Sequence, residues 1–329
     1  MNIRTLGRTG LKVPAIGLGC MGMSFAYGPA DESRSLRTLQ RSLELGINFW
    51  DTAEIYGPYA NEELLGKALA GRRDKVIVAT KFAWRFGPNG ERLKLDGSPA
   101  NLRRALEGSL KRLRTDYVDL FYQHRVDLET PIEETVGAMA ALVKEGKVRH
   151  IGLSEAGPVT IRKANAVYPL AAVQSEYSLW ETGPREKVLP VLRELGIGLV
   201  AYSPVGRGFL TGAIKSPDDL PEGDFRKGSP RFQGENFKVN LRLADAVREL
   251  ARAKKAAPGQ IALAWLLHQG EDIVPIPGTT KPEHLEENAA AADLELTDGD
   301  LKAIDGILKT LPVAGARYPE AMMKFVDVP

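Results

Sequence analysis

Short apolar runs recur along the chain, each followed by a polar or glycine-containing segment. They are rich in β-branched and aromatic residues, as in GINFWD, KVIVATK and YVDLFYQH, a composition typical of buried parallel strands. Eight such runs are present, which is the number of strands in a parallel α/β barrel. They lie near residues 16–19, 47–51, 76–80, 118–122, 148–152, 171–175, 197–201 and 273–276.

Segments with helical periodicity lie between these runs, among them SLRTLQRSLELG, NLRRALEGSLKRL, IEETVGAMAALVKEG and REKVLPVLRELG. Strands that alternate with helices predict a parallel sheet covered by helices, so the fold class expected is α/β, a (β/α)8 TIM barrel. A β-hairpin is expected before the barrel, around RTLGRTGLKV, and residues 1–329 are expected to form a single domain. The one long irregular connection, residues 203–236, predicts a functional or mobile loop.

Four polar residues fall at the ends of three successive runs: Asp51, Tyr56, Lys81 and His124. Reduction of a carbonyl by hydride leaves an alkoxide that must be protonated, and a phenol with a pKa of about 10 is a reluctant donor. A nearby ammonium lowers that pKa, so Lys81, anchored by Asp51, is expected to assist Tyr56 as general acid. An imidazole at His124 can orient or polarise the carbonyl without being charged.

Each of these residues also has a structural interpretation. Asp51 and Lys81 can form a purely structural ion pair, because buried charges are rare unless paired. Tyr56 alone is more often a loop residue, and His124 alone more often a hydrogen-bonded residue at a strand end. Their joint occurrence, in order, at consecutive strand ends favours the catalytic interpretation.

The sequence resembles the aldo-keto reductase superfamily along almost its whole length. The resemblance is carried by GINFWDTAEIYG with NEELLGKAL, VIVATK, DYVDLFYQHR, PIEETVGAMAALVKEGKVRHIGLSE and LVAYSPVGRGFLTG, and extends to HLEEN near residue 288. It is strongest to the bacterial, yeast and plant group whose fifth strand ends in LSEA. The resemblance places the family's catalytic tetrad on Asp51, Tyr56, Lys81 and His124, with Tyr56 as the general acid.

A Rossmann fold is the main rival interpretation of the N-terminal part. Gly17, Gly19 and Gly22 spell GxGxxG after a strand-like run, and Asp51 ends the next run. In that motif the third glycine already lies in the phosphate-binding helix, whereas here MSFAYGPADES intervenes. In the barrel interpretation the segment Gly19, Cys20 and Met21 forms a mouth loop beside the nicotinamide.

The cofactor expected is NADPH, and most of its site is assigned to the second half of the chain. Tyr202 would stack on the nicotinamide, and the connection 203–236 would cover the cofactor. The pyrophosphate path would be lined by Ser203, Pro204, Gly206, Arg207, Gly208 and Leu210. After the eighth strand Thr279 or Thr280 is expected to cap a helix whose N-terminus favours an anion. Lys281 and His284 suit a 2′-phosphate at that N-terminus. Glu287 and Asn288 match the family's contacts with the adenine. Gly278, in the same segment, is also expected to bind the cofactor.

The nicotinamide carboxamide is held in this family by a Ser-Asn pair and a Gln, which read here as Ser154, Glu155 and Gln174. Glu155 departs from the commoner Asn, because a carboxylate accepts hydrogen bonds but does not donate them. It therefore suits the amide nitrogen and not its oxygen. The alternative is that Glu155 forms a salt bridge with a basic loop residue.

The substrate pocket is expected to be built from variable loops at the mouth, near residues 23–27, 84–87 and 177–180 and the tail around Tyr318. Trp84, Phe86 and Trp180 predict an apolar or aromatic pocket, although aromatic residues at such a mouth are often plain packing. The sequence does not identify the carbonyl substrate.

Composition narrows the function classes further. The 44 basic and 42 acidic residues leave a net charge of +2, which gives no indication of a nucleic-acid or membrane surface. The chain has no signal-peptide pattern, and its single cysteine fits a reducing compartment, so a cytoplasmic location is expected. The four histidines show no metal-ligand spacing, and no pattern indicates an oligomeric state.

Two other functions remain open at this stage. The first is a cofactor-binding regulatory or partner subunit with little turnover, since such members of the superfamily can retain the tetrad. The second is a barrel aldolase with Lys81 as a Schiff-base amine, an interpretation that leaves Tyr202, Arg207 and Lys281 without a role.

Overall fold

The computed structural model describes residues 1–87 and 91–327. Along this part of the chain the strands alternate with helices, as the sequence predicts. The strands are β1 (Ile3–Leu6), β2 (Leu11–Pro14), β3 (Leu18–Gly19), β4 (Phe49–Asp51), β5 (Ile77–Phe82), β6 (Trp84–Phe86), β7 (Arg92–Leu95), β8 (Val118–Gln123), β9 (Val148–Ser154), β10 (Ala172–Glu176), β11 (Gly198–Tyr202) and β12 (Ile273–Pro275).

Twelve helices accompany the strands in the described residues, and most of them contribute apolar side chains to the core around the sheet. They are α1 (Glu32–Glu44), α2 (Ala60–Leu69), α3 (Pro99–Leu113), α4 (Ile132–Lys144), α5 (Pro158–Val167), α6 (Pro184–Lys187), α7 (Leu189–Leu195), α8 (Gly234–Lys254), α9 (Pro258–His268), α10 (Pro282–Ala290), α11 (Asp298–Thr310) and α12 (Glu320–Met323). None of these helices is long and apolar enough to cross a membrane within the described ranges.

Eight parallel strands form one sheet in the order β3-β4-β5-β8-β9-β10-β11-β12. The two edges of the sheet meet, because Gly17 N donates to Pro275 O at 2.9 Å and Gly19 N donates to Pro277 O at 3.1 Å. A Cβ atom on Gly19 would lie 2.8 Å from the carbonyl oxygen of Ile276, so this closure requires a glycine. Sequential strand order with closure confirms the predicted (β/α)8 barrel and excludes the Rossmann interpretation.

The predicted N-terminal hairpin, β1 paired antiparallel with β2, closes the end of the barrel where the strands begin. Leu6 lies against the first residue of β11, since a Cβ atom on Gly198 would contact the Leu6 side chain. Leu6, Leu11 and Val13 belong to the same buried cluster as the inward-facing residues of the strands. The interior is therefore a packed apolar core, and the other end of the barrel is left for polar groups.

Two segments differ from their predicted form. The helix expected over REKVLPVLRELG is divided at Val188 into α6 and α7, and Pro190 lies in the first turn of α7, where its missing N–H is not needed. The irregular connection after β11 contains four short 3-10 helices before α8 begins: Gly206–Thr211, Pro217–Asp219, Phe225–Gly228 and Pro230–Phe232. A second hairpin, β6 with β7, has no counterpart among the predictions.

The role of the hairpin as a core element leads to a stability prediction. Leu6→Ala should lower the free energy of unfolding by about 2–5 kcal/mol, because it leaves a cavity in the sealed end of the barrel. Ile3 lies in the same strand, but its side chain is 60% exposed. Ile3→Ala should therefore lower the free energy of unfolding far less. Urea denaturation of the two variants checks this, and equal losses would contradict the sealing role of Leu6.

Candidate active site

The four residues of the predicted tetrad lie together at the mouth of the barrel. Asp51 is the last residue of β4, Lys81 lies near the end of β5, and His124 directly follows β8. Tyr56 lies in the connection between β4 and α2. Lys81 Nζ donates to Asp51 Oδ1, to Thr52 O at 2.8 Å and to the Tyr56 hydroxyl at 3.4 Å. The ammonium thus links the carboxylate to the phenol.

Burial decides the protonation state of the phenol. It raises the pKa of Tyr56, and the opposing effect of Lys81 does not reverse this. The expectation that Lys81 brings the pKa below its usual value therefore does not hold for the net shift. Burial also lowers the pKa of Lys81, but Asp51 and Tyr56 raise it by more. At neutral pH the site holds a neutral phenol beside an ammonium, which is the state required of a proton donor.

His124 stands edge-on to Tyr56, with ring centroids 5.8 Å apart and an interplanar angle of 85°. Its backbone is fixed by a hydrogen bond from His124 N to Phe82 O at 2.7 Å. Burial holds the pKa of His124 well below its usual value, and Arg125 and Lys81 lower it further. The imidazole is therefore neutral near pH 7, as the sequence interpretation assumed.

Asp51 receives a second hydrogen bond, from Gln174 Nε2 to Asp51 Oδ2 at 2.7 Å. Gln174 is the residue that the resemblance assigns to the nicotinamide carboxamide, and here its amide nitrogen is directed at the tetrad. Asn61 organises the neighbouring loops, because it accepts from Thr52 Oγ1 at 2.7 Å and donates to Cys20 O at 2.8 Å. Each amide fixes a carboxylate or a backbone segment beside Tyr56.

Glu155 forms a salt bridge with Arg317, whose Nη2 donates to Glu155 Oε2 at 2.5 Å. The sequence left two roles open for Glu155, and this geometry favours the salt bridge with a basic residue. Glu176 lies beside it and accepts from Arg207 Nη2 at 2.9 Å. Arg207 was predicted to line the pyrophosphate path, and its guanidinium is turned inward to Glu176. Two glutamates and two arginines thus form one buried charge network at the mouth.

The C-terminal segment, residues 316–327, lies over this network. The hydroxyls of Tyr202 and Tyr318 are 2.8 Å apart, and the guanidinium of Arg207 lies 4.6 Å from the centre of the Tyr318 ring. Further along, Asp327 N donates to Glu155 O at 3.0 Å. The tail therefore forms one wall of the mouth, in agreement with the position expected for Tyr318.

Three predicted cofactor residues have left-handed backbone conformations: Glu155 with φ of 55°, Ser203 with 49° and Arg207 with 58°. Non-glycine residues adopt this region rarely, and such strain is concentrated at functional sites. Gly206 and Gly208 have φ of 60° and 88°, which glycine tolerates without strain. The other residues predicted near the cofactor lie around this turn or at the end of β3. Pro204 and Leu210, in the turn, are buried. Gly19 ends β3 and is followed by Cys20, which is buried, and Met21.

The segment after β12 differs in one respect from its prediction. Neither Thr279 nor Thr280 caps α10, whose N-cap is Lys281 without a side-chain hydrogen bond. Thr279 Oγ1 instead accepts from Lys281 N at 3.0 Å, which turns the chain one residue before the helix. Pro282 lies in the first turn of α10. Of the residues predicted to contact the 2′-phosphate and the adenine, Asn288 is buried, and the exposed ones are Lys281, His284 and Glu287. Gly278 forms the bridge to Gly19 that closes the barrel.

The three aromatic residues predicted for the pocket have different surroundings. Trp180 is buried and packs against Phe209, with ring centroids 4.0 Å apart, so packing accounts for its position. Trp84 packs against Phe325 of the tail, with ring centroids 5.1 Å apart. Phe86 packs on Tyr59, with ring centroids 5.2 Å apart. Trp84 and Phe86 remain at the mouth.

Sequence reasoning missed several residues of the site: Asn61, Arg125, Glu176 and Arg317. Glu176 ends β10, so the strand-end rule that selected Asp51 could have found it. Arg125 directly follows His124 and was open to the same argument. No periodic pattern indicates that Arg317 reaches Glu155, 162 positions earlier in the chain.

Residues 15–309 match the family model described as the aldo/keto reductase family, and the chain belongs to that family. The yeast protein "Aldo-keto reductase yakc [NADP(+)]" of Schizosaccharomyces pombe is 47% identical over 324 residues, 96% of this chain and 95% of that protein. "Probable aldo-keto reductase 1" of Glycine max is also 47% identical, over 97% of this chain and 92% of its own.

Solved structures agree with this assignment. The glycerol dehydrogenase AKR11B4 from Gluconobacter oxydans superimposes with a TM-score of 0.86 at 29% identity, over 95% of this chain and 97% of that one. Family and fold together confirm the prediction of an oxidoreductase that acts on carbonyl groups.

Glu54, between Asp51 and Tyr56, is a fully buried carboxyl group. Its Oε2 lies 3.4 Å from Arg104 Nη2, and its Oε1 has no hydrogen-bond partner in the described part of the chain. Burial raises the pKa of Glu54 from 4.5 to about 7, although Arg104 lowers it. The protonated carboxyl is therefore the form that the fold favours.

This shift predicts a pH-dependent stability. Because the folded-state pKa is raised, the stabilisation due to protonated Glu54 is present below pH 4.5 and is lost as the pH rises to about 7. Relative to Glu54→Gln, the wild type should lose about 3 kcal/mol over that interval. Urea denaturation across the interval measures it, with the exposed Glu63→Gln as control. A constant difference between wild type and Glu54→Gln would contradict the assignment.

Proposed function

We infer that this protein reduces aldehydes or ketones to alcohols with NADPH, and that Tyr56 is the general acid. The observation that carries this proposal is the hydrogen-bonded chain Asp51, Lys81, Tyr56 at the mouth of a barrel of this family. The yeast relative, which is named for NADP(+), supports the choice of cofactor. The substrate would be a small carbonyl compound, and the cytoplasm is the location we expect.

Each member of the tetrad has one task in this proposal. Tyr56 gives its hydroxyl proton to the carbonyl oxygen. The Lys81 ammonium stabilises the phenolate that remains, and Asp51 keeps the ammonium in place. Neutral His124 donates a hydrogen bond to the same oxygen, which orients the carbonyl and stabilises developing negative charge.

The residues around the mouth fit NADPH, which supplies the hydride when bound. The Tyr202 ring, at the end of β11, would offer a stacking surface, and Ser154, at the end of β9, would bind the carboxamide. The left-handed turn after β11 lets backbone amides approach phosphate oxygens, since consecutive residues of this kind form anion-binding concavities. Exposed Lys281 and His284 at the start of α10 suit the 2′-phosphate. Within a single domain, the connection 203–236 would cover the bound cofactor.

The pocket beyond the tetrad would be lined by Trp84, Phe86 and the C-terminal segment. Trp84 contacts this segment through Phe325, so the shape of the pocket depends on the position of the tail. Trp180 belongs to the core beneath the connection and would act only through packing.

The direct test is Tyr56→Phe. Turnover of NADPH with an activated benzaldehyde, followed by the absorbance of the reduced nicotinamide, should fall by at least about 100-fold, because the proton donor is lost. NADPH affinity, measured by fluorescence, should be unchanged. Tyr59→Phe, a matched change in the same loop, should retain activity. Equal activity of Tyr56→Phe and wild type would contradict the mechanism, and wild-type binding of NADPH without turnover of any aldehyde or ketone would favour a regulatory subunit.

The preference for NADPH should depend on Lys281. Lys281→Met is expected to raise the Kd for NADPH about tenfold, since one charged contact to the 2′-phosphate is removed, and to leave the Kd for NADH unchanged. Lys302→Met, another exposed lysine outside the site, is the control. Parallel losses for both nucleotides would show that Lys281 does not read the 2′-phosphate.

A further inference from the structure

Arg125 directly follows His124 and holds its guanidinium at the mouth of the barrel. Nη1 donates to His124 O at 2.6 Å and lies 3.4 Å from Ser154 Oγ. The guanidinium is close enough to Tyr56 to lower the pKa of the phenol, in opposition to burial. Arg125 therefore belongs to the same pocket as the proton donor, although the tetrad does not use it.

Arg207 and Arg317, which also lie at the mouth, have carboxylate partners. Arg207 Nη2 lies 2.9 Å from Glu176 Oε2, and Arg317 Nη2 lies 2.5 Å from Glu155 Oε2. Arg125 is half-buried, yet among residues 1–87 and 91–327 no carboxylate lies within salt-bridge distance of it. A cation partly removed from water without a counter-ion is unfavourable, so this arginine is suited to an anion that arrives with a ligand.

The hydrogen bonds of Arg125 indicate the shape of that anion. In the described residues only Nη1 donates, which leaves the edge formed by Nε and Nη2. Two parallel N–H groups on one edge of a guanidinium match the two oxygens of a carboxylate. Glu155, a carboxylate whose charge acts on Arg125, is already bonded to Arg317.

We propose that Arg125 binds a carboxylate group of the substrate, so that the preferred substrates are carbonyl compounds that carry an acidic group. This inference rests on the proposed reductase function and names its substrate class. The arginine would fix one end of the substrate while Tyr56 and His124 hold the carbonyl oxygen at the other. Anchoring of this kind places the reacting carbon without any change in the chemistry.

The test compares the isomers of carboxybenzaldehyde with their methyl esters, which differ in charge but share the reacting aldehyde. For at least one isomer, the wild type should have a higher kcat/KM for the acid than for its methyl ester. Arg125→Met should reduce kcat/KM for that acid by at least about 30-fold, mainly through KM, and change the ester by less than about threefold. Arg125→Lys should retain an intermediate preference, because it keeps the charge but not the planar edge.

Arg242→Met, which removes an exposed arginine of α8 outside the site, is the matched control and should leave the preference unchanged. Equal losses for acid and ester in Arg125→Met would overturn the proposal, because they would assign Arg125 to general support of the site. A raised Kd for NADPH with no change in preference would also overturn it, because Arg125 would then belong to the cofactor site.

Failure of the reductase function is distinguished by a binding measurement. Calorimetry measures the affinity for the alcohol products, carboxybenzyl alcohol and its methyl ester. It therefore tests the carboxylate site without turnover. Tighter binding of the acid by wild type, lost in Arg125→Met, would support the site even if no aldehyde is reduced. Equal binding of acid and ester by wild type would overturn the site whatever the outcome of the turnover assay.

Discussion

The ion pair between Lys81 and Asp51 is the interaction on which the mouth of this barrel depends. Lys81 is 0% exposed, and a buried ammonium without a counter-ion would cost several kcal/mol. Strand register supplies the counter-ion. Asp51 pairs with Ala79 across β4 and β5, and Lys81, two residues beyond Ala79, points to the same face of the sheet. Any slip of that register would separate the charges and expose the phenol to an unpaired carboxylate.

The two ends of the barrel are built on opposite principles. At the end where the strands begin, the hairpin fills the interior with Leu6, Leu11 and Val13, and the stability of the fold depends on that apolar core. At the other end, parallel strands bring polar groups together, and the buried charges of Lys81, Arg207 and Arg317 are compensated by carboxylates. Glu155 and Glu176 neutralise two arginines there, and the tail is bound in the process. This charge network therefore holds the C-terminal segment at the mouth of the barrel.

The barrel and the proximity of Asp51, Tyr56, Lys81 and His124 were predictable because both depend on short-range regularities. Buried parallel strands are recognisable in the sequence as apolar runs. The ends of these strands converge at one mouth of a barrel, and Asp51, Lys81 and His124 lie at or next to those ends. What the sequence did not predict depends on three-dimensional burial. The pKa of Tyr56 is raised because desolvation exceeds the effect of Lys81, a balance that residue types alone do not give.

Long-range partners escaped prediction for a related reason. The pairing of Arg317 with Glu155 joins residues 162 positions apart, and no periodicity marks the tail. Trp180 was a reasonable pocket residue by position, yet it packs into the core against Phe209. Thr279 was a suitable helix cap by type, but the helix begins after Lys281. For the cap, local preference predicted the right kind of structure and the wrong residue.

The central claim is that the buried charge pair makes Tyr56 an effective proton donor. The most direct measurement is single-turnover hydride transfer in the double variant Asp51→Asn with Lys81→Met, which removes both charges and leaves neither unpaired. With NADPH bound at wild-type affinity and an activated benzaldehyde as substrate, the rate should fall by about 100-fold or more. A rate close to that of the wild type would contradict the account, because Tyr56 would then donate its proton without the ammonium.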